Sequence, residues 1–218
     1  MIHQEQILQK TKDFVKIRLQ NDASGHDWWH IYRVWKVSLL LAKEENANLF
    51  VVQLAALLHD IADWKFTGGD DQMGIAISDE WLSSLGVEND IKQHVCRIIS
   101  DISYKGAGVA TPMKSIEGMV VQDADRLDAM GAIGIARAFA YGGSKGREMH
   151  HPDSKPLIHE TFEAYKKNQG TTINHFYEKL FLLRDRMNTK TAANLAKKRH
   201  KLMEDFITQF MLEWEGTT

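Results

Sequence analysis

Apolar side chains recur at intervals of three and four residues along almost the whole sequence. This spacing places them on one face of an α-helix, whereas a half-buried strand would alternate apolar and polar residues. Clear examples lie near the start and the end of the chain, at Ile7, Phe14 and Ile17, at Val34, Val37 and Leu41, and at Phe206, Phe210 and Trp214. The sequence contains no comparable alternating stretch, so it predicts an all-α fold.

The breaks in this periodicity predict where the helices begin and end. The predicted helices span about residues 4–20, 27–46, 48–62, 71–85, 88–102, 113–140, 156–167, 171–187 and 190–213. The stretch 113–140 contains three glycines, so we expect it to be broken or closely packed. The glycine-rich segment 141–153 is predicted to be a loop, and the basic run KKRHK at 197–201 a solvated helix face.

Composition restricts the class of protein further. The 218 residues contain no linker rich in proline, glycine or serine, which favours one domain. A net charge of −2 argues against a dedicated nucleic-acid binder. The N-terminus lacks the features of a signal peptide and no stretch reaches the length of a membrane span, so we expect a cytoplasmic protein.

One predicted helix combines almost complete apolarity with two side chains that are costly to bury. The stretch LAALLHDIADW, residues 54–64, has His59 and Asp60 next to each other near its end. Burial of an ionised carboxylate is unfavourable unless it is paired, hydrogen-bonded or bound to a metal. Because an isolated His-Asp dipeptide is usually hydrogen-bonded to nearby backbone, a metal site requires further ligands elsewhere in the chain.

Two other segments supply candidate ligands. GHDWWHIYRVWK has His26 and His30 four residues apart, on one face of a predicted helix. VQDADRLDAM has Asp125 and Asp128 three residues apart, again on one face. Imidazoles and carboxylates drawn from three helices would form a coordination sphere of nitrogen and oxygen donors for a divalent cation.

The order of these residues resembles the H…HD…D signature of the HD-domain metal-dependent phosphohydrolases. The spacings, 29 residues from His30 to His59 and 65 from Asp60 to Asp125, are similar to those of that family. The likeness covers about residues 20–150 and is closest to the small stand-alone bacterial members of the YedJ/YpgQ type. The segment ADRL also resembles the ADRLHN segment of the HD hydrolases that degrade the stringent-response alarmone.

The resemblance implies that His30, His59, Asp60 and Asp125 hold the metal, and the ADRL match favours Asp125 over Asp128. Asp128 would then support the ligands or contact the substrate. The implied architecture is a single HD-domain helical bundle over residues 1–218, with the metal site within about 20–150 and the helices of about 156–214 packed on the same core. The donor set favours Mn²⁺, with Mg²⁺, Co²⁺, Ni²⁺ or Fe²⁺ as alternatives.

Catalysis and phosphate binding require further side chains. Asp63 follows Asp60 by three residues on one helix face, so Asp60 and Asp63 are the predicted catalytic residues, with Asp63 holding or deprotonating the attacking water. A phosphate substrate also needs cationic partners. The predicted substrate-binding residues are His26, Lys105, Arg126, Asp128 and Lys145.

The activity that the resemblance implies is metal-dependent hydrolysis of nucleotides, from (deoxy)nucleoside triphosphate to monophosphate and pyrophosphate. A 5′-nucleotidase or a cyclic-nucleotide phosphodiesterase on the same site is the first alternative. A metal-bound nucleotide sensor or scaffold is the non-enzymatic alternative. The expected partner is a small phosphate ester, with no nucleic acid or membrane, and the apolar C-terminal helix leaves a homodimer open.

Overall fold

Helices account for most of the chain in the computed structural model, which describes residues 2–19, 27–61, 72–102, 111–157 and 170–217. No strand is found among these residues, so the all-α prediction is confirmed. The helices are α1 Ile2–Arg18, α2 Trp28–Glu44, α3 Leu49–Leu58, α4 Gln72–Ser84, α5 Asn89–Asp101, α6 Ile116–Asp128, α7 Gly131–Ser144, α8 Thr172–His175 and α9 Lys190–Trp214. No helix in the described part of the chain is both long and apolar enough to cross a membrane.

The described residues form two compact units. The N-terminal unit comprises the residues up to 102 together with 111–124, and the C-terminal unit comprises the residues from 125 onwards. Helix α6 contributes to both, since its residues up to Ala124 belong to the first unit and those from Asp125 to the second. The expectation of a single domain stays a prediction.

Helix α3 is the centre of the N-terminal unit. It packs against α1, α2 and α5, while α4 packs against α5. Its side chains from Leu54 to Leu58 are fully buried, as expected for a helix that is apolar on every side. The side chain of Asn48 caps its first turn by accepting hydrogen bonds from the backbone N–H groups of Phe50 and Val51. The position of α3 therefore determines where the residues directly after it, His59 and Asp60, are placed.

The C-terminal unit is organised around α9. This helix packs against α7 and against the 3₁₀ segment Phe181–Arg186, which continues the π-helical turn Phe176–Leu180 that follows α8. The rings of Phe139, Phe176 and Phe206 meet in its core, with centroids 5.7–6.3 Å apart. Apolar packing of aromatic rings thus joins α7 and α9 to the segment between them.

The single helix predicted over 113–140 is divided into α6 and α7. Met130 has extended backbone, with φ −120° and ψ 160°, and Gly131 has φ +70°. A left-handed backbone conformation favours glycine, because a Cβ atom would be strained there. The glycines of this stretch thus mark a real break, as their number suggested.

Other predicted boundaries differ from the structure. The helix predicted over 171–187 is wrong as one regular helix, since a short α-helix, a π turn and a 3₁₀ segment follow one another there. The predicted loop 141–153 begins later, because α7 extends to Ser144. Of the predicted helix 156–167, residues 156–157 are not helical and the remainder lies outside the described residues.

The basic run at 197–201 is only partly a solvated face. Lys197, Lys198 and Lys201 are exposed, but His200 is buried and Arg199 is half-buried. His200 is four residues after Ala196 and three before Met203, both fully buried, so it lies on the inward face of α9. The prediction of a wholly solvated face was therefore wrong at Arg199 and His200.

Candidate metal centre

His30 enters the site from the first turn of α2. The helix is capped by Asp27, whose carboxylate accepts a hydrogen bond from the backbone N–H of His30 at 2.9 Å. An aspartate at this position satisfies an otherwise unpaired N–H group and stabilises the helix start. The cap thereby fixes the backbone of the residue that carries the first imidazole, and that imidazole is fully buried.

His59 and Asp60 follow the last residue of α3. The Nδ1 atom of His59 lies 2.9 Å from the carbonyl oxygen of Ala56, and a carbonyl oxygen accepts only, so Nδ1 donates. This bond satisfies a carbonyl in the last turn of α3 and places the proton of a neutral ring on Nδ1. Nε2 then carries the lone pair, as is typical of a metal-binding histidine oriented by a backbone carbonyl.

The donor atoms of these three residues converge. His30 Nε2 lies 3.3 Å from His59 Nε2 and 3.3 Å from Asp60 Oδ2, and His59 Nε2 lies 3.5 Å from Asp60 Oδ2. The two imidazoles are almost completely buried, whereas the Asp60 side chain is 21% exposed. The two histidines of the cluster are thus shielded from solvent, whereas the carboxylate of Asp60 remains partly exposed.

This arrangement fits a divalent cation. Ligand atoms bound about 2.1 Å from a cation lie roughly 3 Å apart when they subtend a right angle, which is close to the spacing seen here. All three donor atoms lie within 4.8 Å of one another, which is the geometry expected of a shared cation. Two imidazoles and a carboxylate are suitable ligands for the divalent first-row metals.

Asp125 and Asp128 lie at the end of α6, in the C-terminal unit. Asp125 is half-buried, and its assignment as the fourth ligand stays a prediction. Asp128 is buried, and its Oδ2 pairs with Nη1 of Arg137 at 2.7 Å. This ion pair is compatible with the expectation that Asp128 supports the ligands, while its predicted contact with substrate stays a prediction.

The remaining predicted site residues lie in different environments. Arg126 is buried and donates a hydrogen bond from Nη1 to the backbone carbonyl of Arg186. Lys145 is exposed just after α7, with its Nζ 5.7 Å from the centre of the Tyr141 ring. His26, Asp63 and Lys105 lie outside the described residues, so their predicted roles stay predictions.

Two arginines that the sequence interpretation missed contact the end of α6. Arg137 pairs with Asp128, and Arg199 donates from Nη1 to the carbonyl oxygen of Leu127. Neither residue belongs to a recognisable motif.

Comparison with known proteins identifies similar chains. The HD domain family matches residues 28–130. The protein YpgQ of Bacillus subtilis is 38% identical over 211 residues, which are 95% of this chain and 94% of that protein.

Solved structures of similar proteins have the same fold. A protein of Lactobacillus plantarum is 40% identical, with a TM-score of 0.85 and coverage of 97% of this chain and 98% of the other. An HD-superfamily hydrolase of Bacillus thuringiensis is 45% identical, with a TM-score of 0.77 and coverage of 98% and 99%. YpgQ has also been solved in complex with ADP.

Proposed function

Because the chain belongs to the HD domain family, and is therefore a metal-dependent hydrolase, we propose that it hydrolyses nucleotides, converting (deoxy)nucleoside triphosphates to monophosphate and pyrophosphate. The observation that carries this proposal is the convergence of His30, His59 and Asp60 on one point. The complex of the related YpgQ with ADP supports a nucleotide as the substrate class.

We assign the metal to His30, His59, Asp60 and Asp125, and Mn²⁺ is the favoured ion. When bound, such an ion withdraws electron density from a phosphoryl oxygen and lowers the pKa of water. The protein supplies the orientation of the ligands. The hydrogen bond from His59 Nδ1 to Ala56 holds that imidazole in one tautomer, and the capped start of α2 holds His30 opposite to it.

The reaction is the addition of water to the α-phosphorus. The bond between this phosphorus and the oxygen that bridges the α- and β-phosphates breaks, and pyrophosphate leaves with that oxygen. We assign Asp63 to hold the attacking water and accept its proton, since it follows the ligand Asp60 by three residues. We assign His26, Lys105, Arg126 and Lys145 to the phosphate groups, whose charge these side chains would balance.

Product analysis tests the proposal. Mn²⁺-loaded wild type and Asp60→Asn are incubated with nucleoside triphosphates, nucleoside monophosphates and cyclic nucleotides, and the products are separated by chromatography. We expect monophosphate and pyrophosphate from wild type, and turnover at least about 100-fold slower from Asp60→Asn, because the variant lacks a charged ligand of the metal.

Other products would reject the proposal in specific ways. Inorganic phosphate from monophosphates would indicate a 5′-nucleotidase, and opening of cyclic nucleotides a phosphodiesterase. A wild type that binds Mn²⁺ and nucleotide but converts none of them would indicate a sensor or scaffold. In that case Asp60→Asn would lower the free energy of unfolding of the metal-loaded protein, and neither wild type nor variant would show turnover.

A further inference from the structure

The metal ligands His59 and Asp60 lie in a short turn that continues beyond α3. Helix α3 ends at Leu58, and the backbone N–H of Ile61 donates to the carbonyl oxygen of Leu58 at 3.1 Å. The side chain of Ile61 is buried. Ile61 is thus held by its N–H group and by its side chain, and it directly follows the ligand Asp60.

Arg18, the last residue of α1, binds the carbonyl group of the same turn. Its Nε donates to the carbonyl oxygen of Ile61 at 3.3 Å, across 43 residues of sequence. A carbonyl group directly after a helix has no partner in the helix itself, and a nearby arginine commonly supplies one. The bond joins α1 to the turn that carries two ligands, and all of these residues belong to the N-terminal unit.

We propose that Arg18 is a positioning residue, which holds the carbonyl of Ile61 so that the turn after α3 presents His59 and Asp60 to the metal. The inference rests on the part of the proposed function that assigns the metal to these two residues and His30, whose donor atoms lie within 4.8 Å of one another. It needs no ligand from outside the N-terminal unit. Because Asp60 and Ile61 share a peptide bond, displacement of Ile61 displaces the ligand before it.

The charge of Arg18 and its hydrogen bond have opposite effects on metal binding. A cationic side chain near the site repels a divalent ion, so loss of the charge alone strengthens metal binding. Loss of the hydrogen bond weakens metal binding, because the ion must then order a turn that Arg18 no longer holds. The direction of the change in affinity therefore distinguishes a positioning role from a nearby charge.

Two substitutions separate the hydrogen bond from the charge. Arg18→Met removes both, whereas Arg18→Gln removes the charge but retains an N–H donor as many bonds from Cα as Nε of arginine. Calorimetric titration of metal-free protein with Mn²⁺, at an ionic strength of about 0.15 M to screen exposed charges, gives each affinity. We expect Arg18→Met to bind Mn²⁺ about 3–10-fold more weakly than wild type, as for the loss of one hydrogen bond. Arg18→Gln should recover part of this loss.

Lys16→Met is the matched control. Lys16 lies in the last turn of α1, as Arg18 does, and is exposed, and its side chain forms no hydrogen bond or ion pair with the described residues. The substitution removes the same charge from the same turn, so its affinity for Mn²⁺ should equal or slightly exceed that of wild type. The inference is overturned if Arg18→Met binds Mn²⁺ as tightly as Lys16→Met, or if Arg18→Gln binds it as weakly as Arg18→Met.

Hydrogen exchange reports on the turn directly. In metal-free protein, the backbone amide of Ile61 should exchange faster in Arg18→Met than in wild type or Lys16→Met, because the turn opens more often. Equal exchange rates would show that the turn does not depend on Arg18 and would contradict the inference. If Arg18→Met does not fold, Arg18→Ala removes the same donor with a good helix former, and the same results are expected from it.

These measurements separate failure of this inference from failure of the proposed function. They need no turnover, so a wild type that binds Mn²⁺ without hydrolysing nucleotides overturns only the proposed function. An affinity for Mn²⁺ that does not respond to Arg18→Met overturns only the inference. A wild type that does not bind Mn²⁺ overturns both.

Discussion

At the scale of single residues, the surroundings of His175 favour the neutral form of its imidazole. Burial lowers its pKa to about 3, and the nearby cations Lys179 and Arg147 act in the same direction. In the unfolded chain the imidazole titrates near its ordinary pKa of about 6.5. The folded state therefore binds this proton less readily than the unfolded state, and folding is linked to pH at this residue.

The consequence is a loss of stability in mildly acidic solution. The contribution of His175 is fully present above about pH 6.5 and declines as the pH falls towards 3, because the unfolded chain gains a proton that the folded protein excludes. From pH 6.5 to pH 5 we expect a loss of about 1–2 kcal/mol in the free energy of unfolding.

The measurement compares wild type with His175→Gln. Urea unfolding at several pH values, in excess chelator so that no metal contributes, gives the free energy of unfolding for each protein. The slope of this energy against pH should be shallower in the variant. Equal slopes would show that His175 is not responsible for the dependence on pH.

At the scale of elements, the junction between α6 and α7 shows how a break positions side chains. Ala129 and Met130 donate backbone hydrogen bonds to the carbonyls of Arg126 and Leu127, so the last turn of α6 is closed before α7 begins at Gly131. The dihedral angle of Gly131 and the stem of Arg199 both oppose a side chain there. The junction therefore requires glycine for two separate reasons.

These reasons are separable by substitution. Gly146 has φ +66° and no atom within 4 Å of its virtual Cβ, so Gly146→Ala introduces only backbone strain, which costs about 1 kcal/mol. Gly131→Ala adds the contact with Arg199, and we expect a total loss of about 2–4 kcal/mol. Chemical denaturation of both variants measures the difference. Equal losses would mean that Arg199 moves aside without cost.

At the scale of the whole molecule, the buried helix α3 links stability to the metal centre. Leu54 is fully buried within it, and His59 and Asp60 follow directly after its last residue. A helix apolar on every side gains most of its stability from burial against its neighbours. A packing defect in α3 should therefore lower the free energy of unfolding and also shift the positions of His59 and Asp60.

Substitution of Leu54 tests this connection. We expect Leu54→Ala to lower the free energy of unfolding by about 2–5 kcal/mol, through lost burial and the cavity left behind. Leu40→Ala is the control, because Leu40 on α2 is 50% exposed, and its effect should stay within about 0.5 kcal/mol. Urea unfolding of the metal-free proteins gives both values, and a small loss for Leu54→Ala would show that the site collapses around the missing atoms.

The helical class and the position of the adjacent pair His59 and Asp60 at the end of a buried segment could be predicted from the sequence because both depend on local order. The three- and four-residue spacing of apolar side chains reflects the pitch of one helix, and the apolarity of residues 54–58 already required burial beside the costly pair His59 and Asp60. The family signature connected this pair to His30. The distances between their donor atoms then confirmed that the three residues meet.

The environment of α6 was decided by tertiary packing. Arg199 and Leu127 are 72 residues apart, and no local pattern relates a basic residue in KKRHK to a distant backbone carbonyl. The same holds for Asp128: no local pattern predicts its ion pair with Arg137 of the next helix, and its roles as ligand, substrate contact or supporting residue stay predictions. Such contacts depend on how separate helices pack, and this packing follows from the burial of the whole core rather than from the periodicity of any one segment.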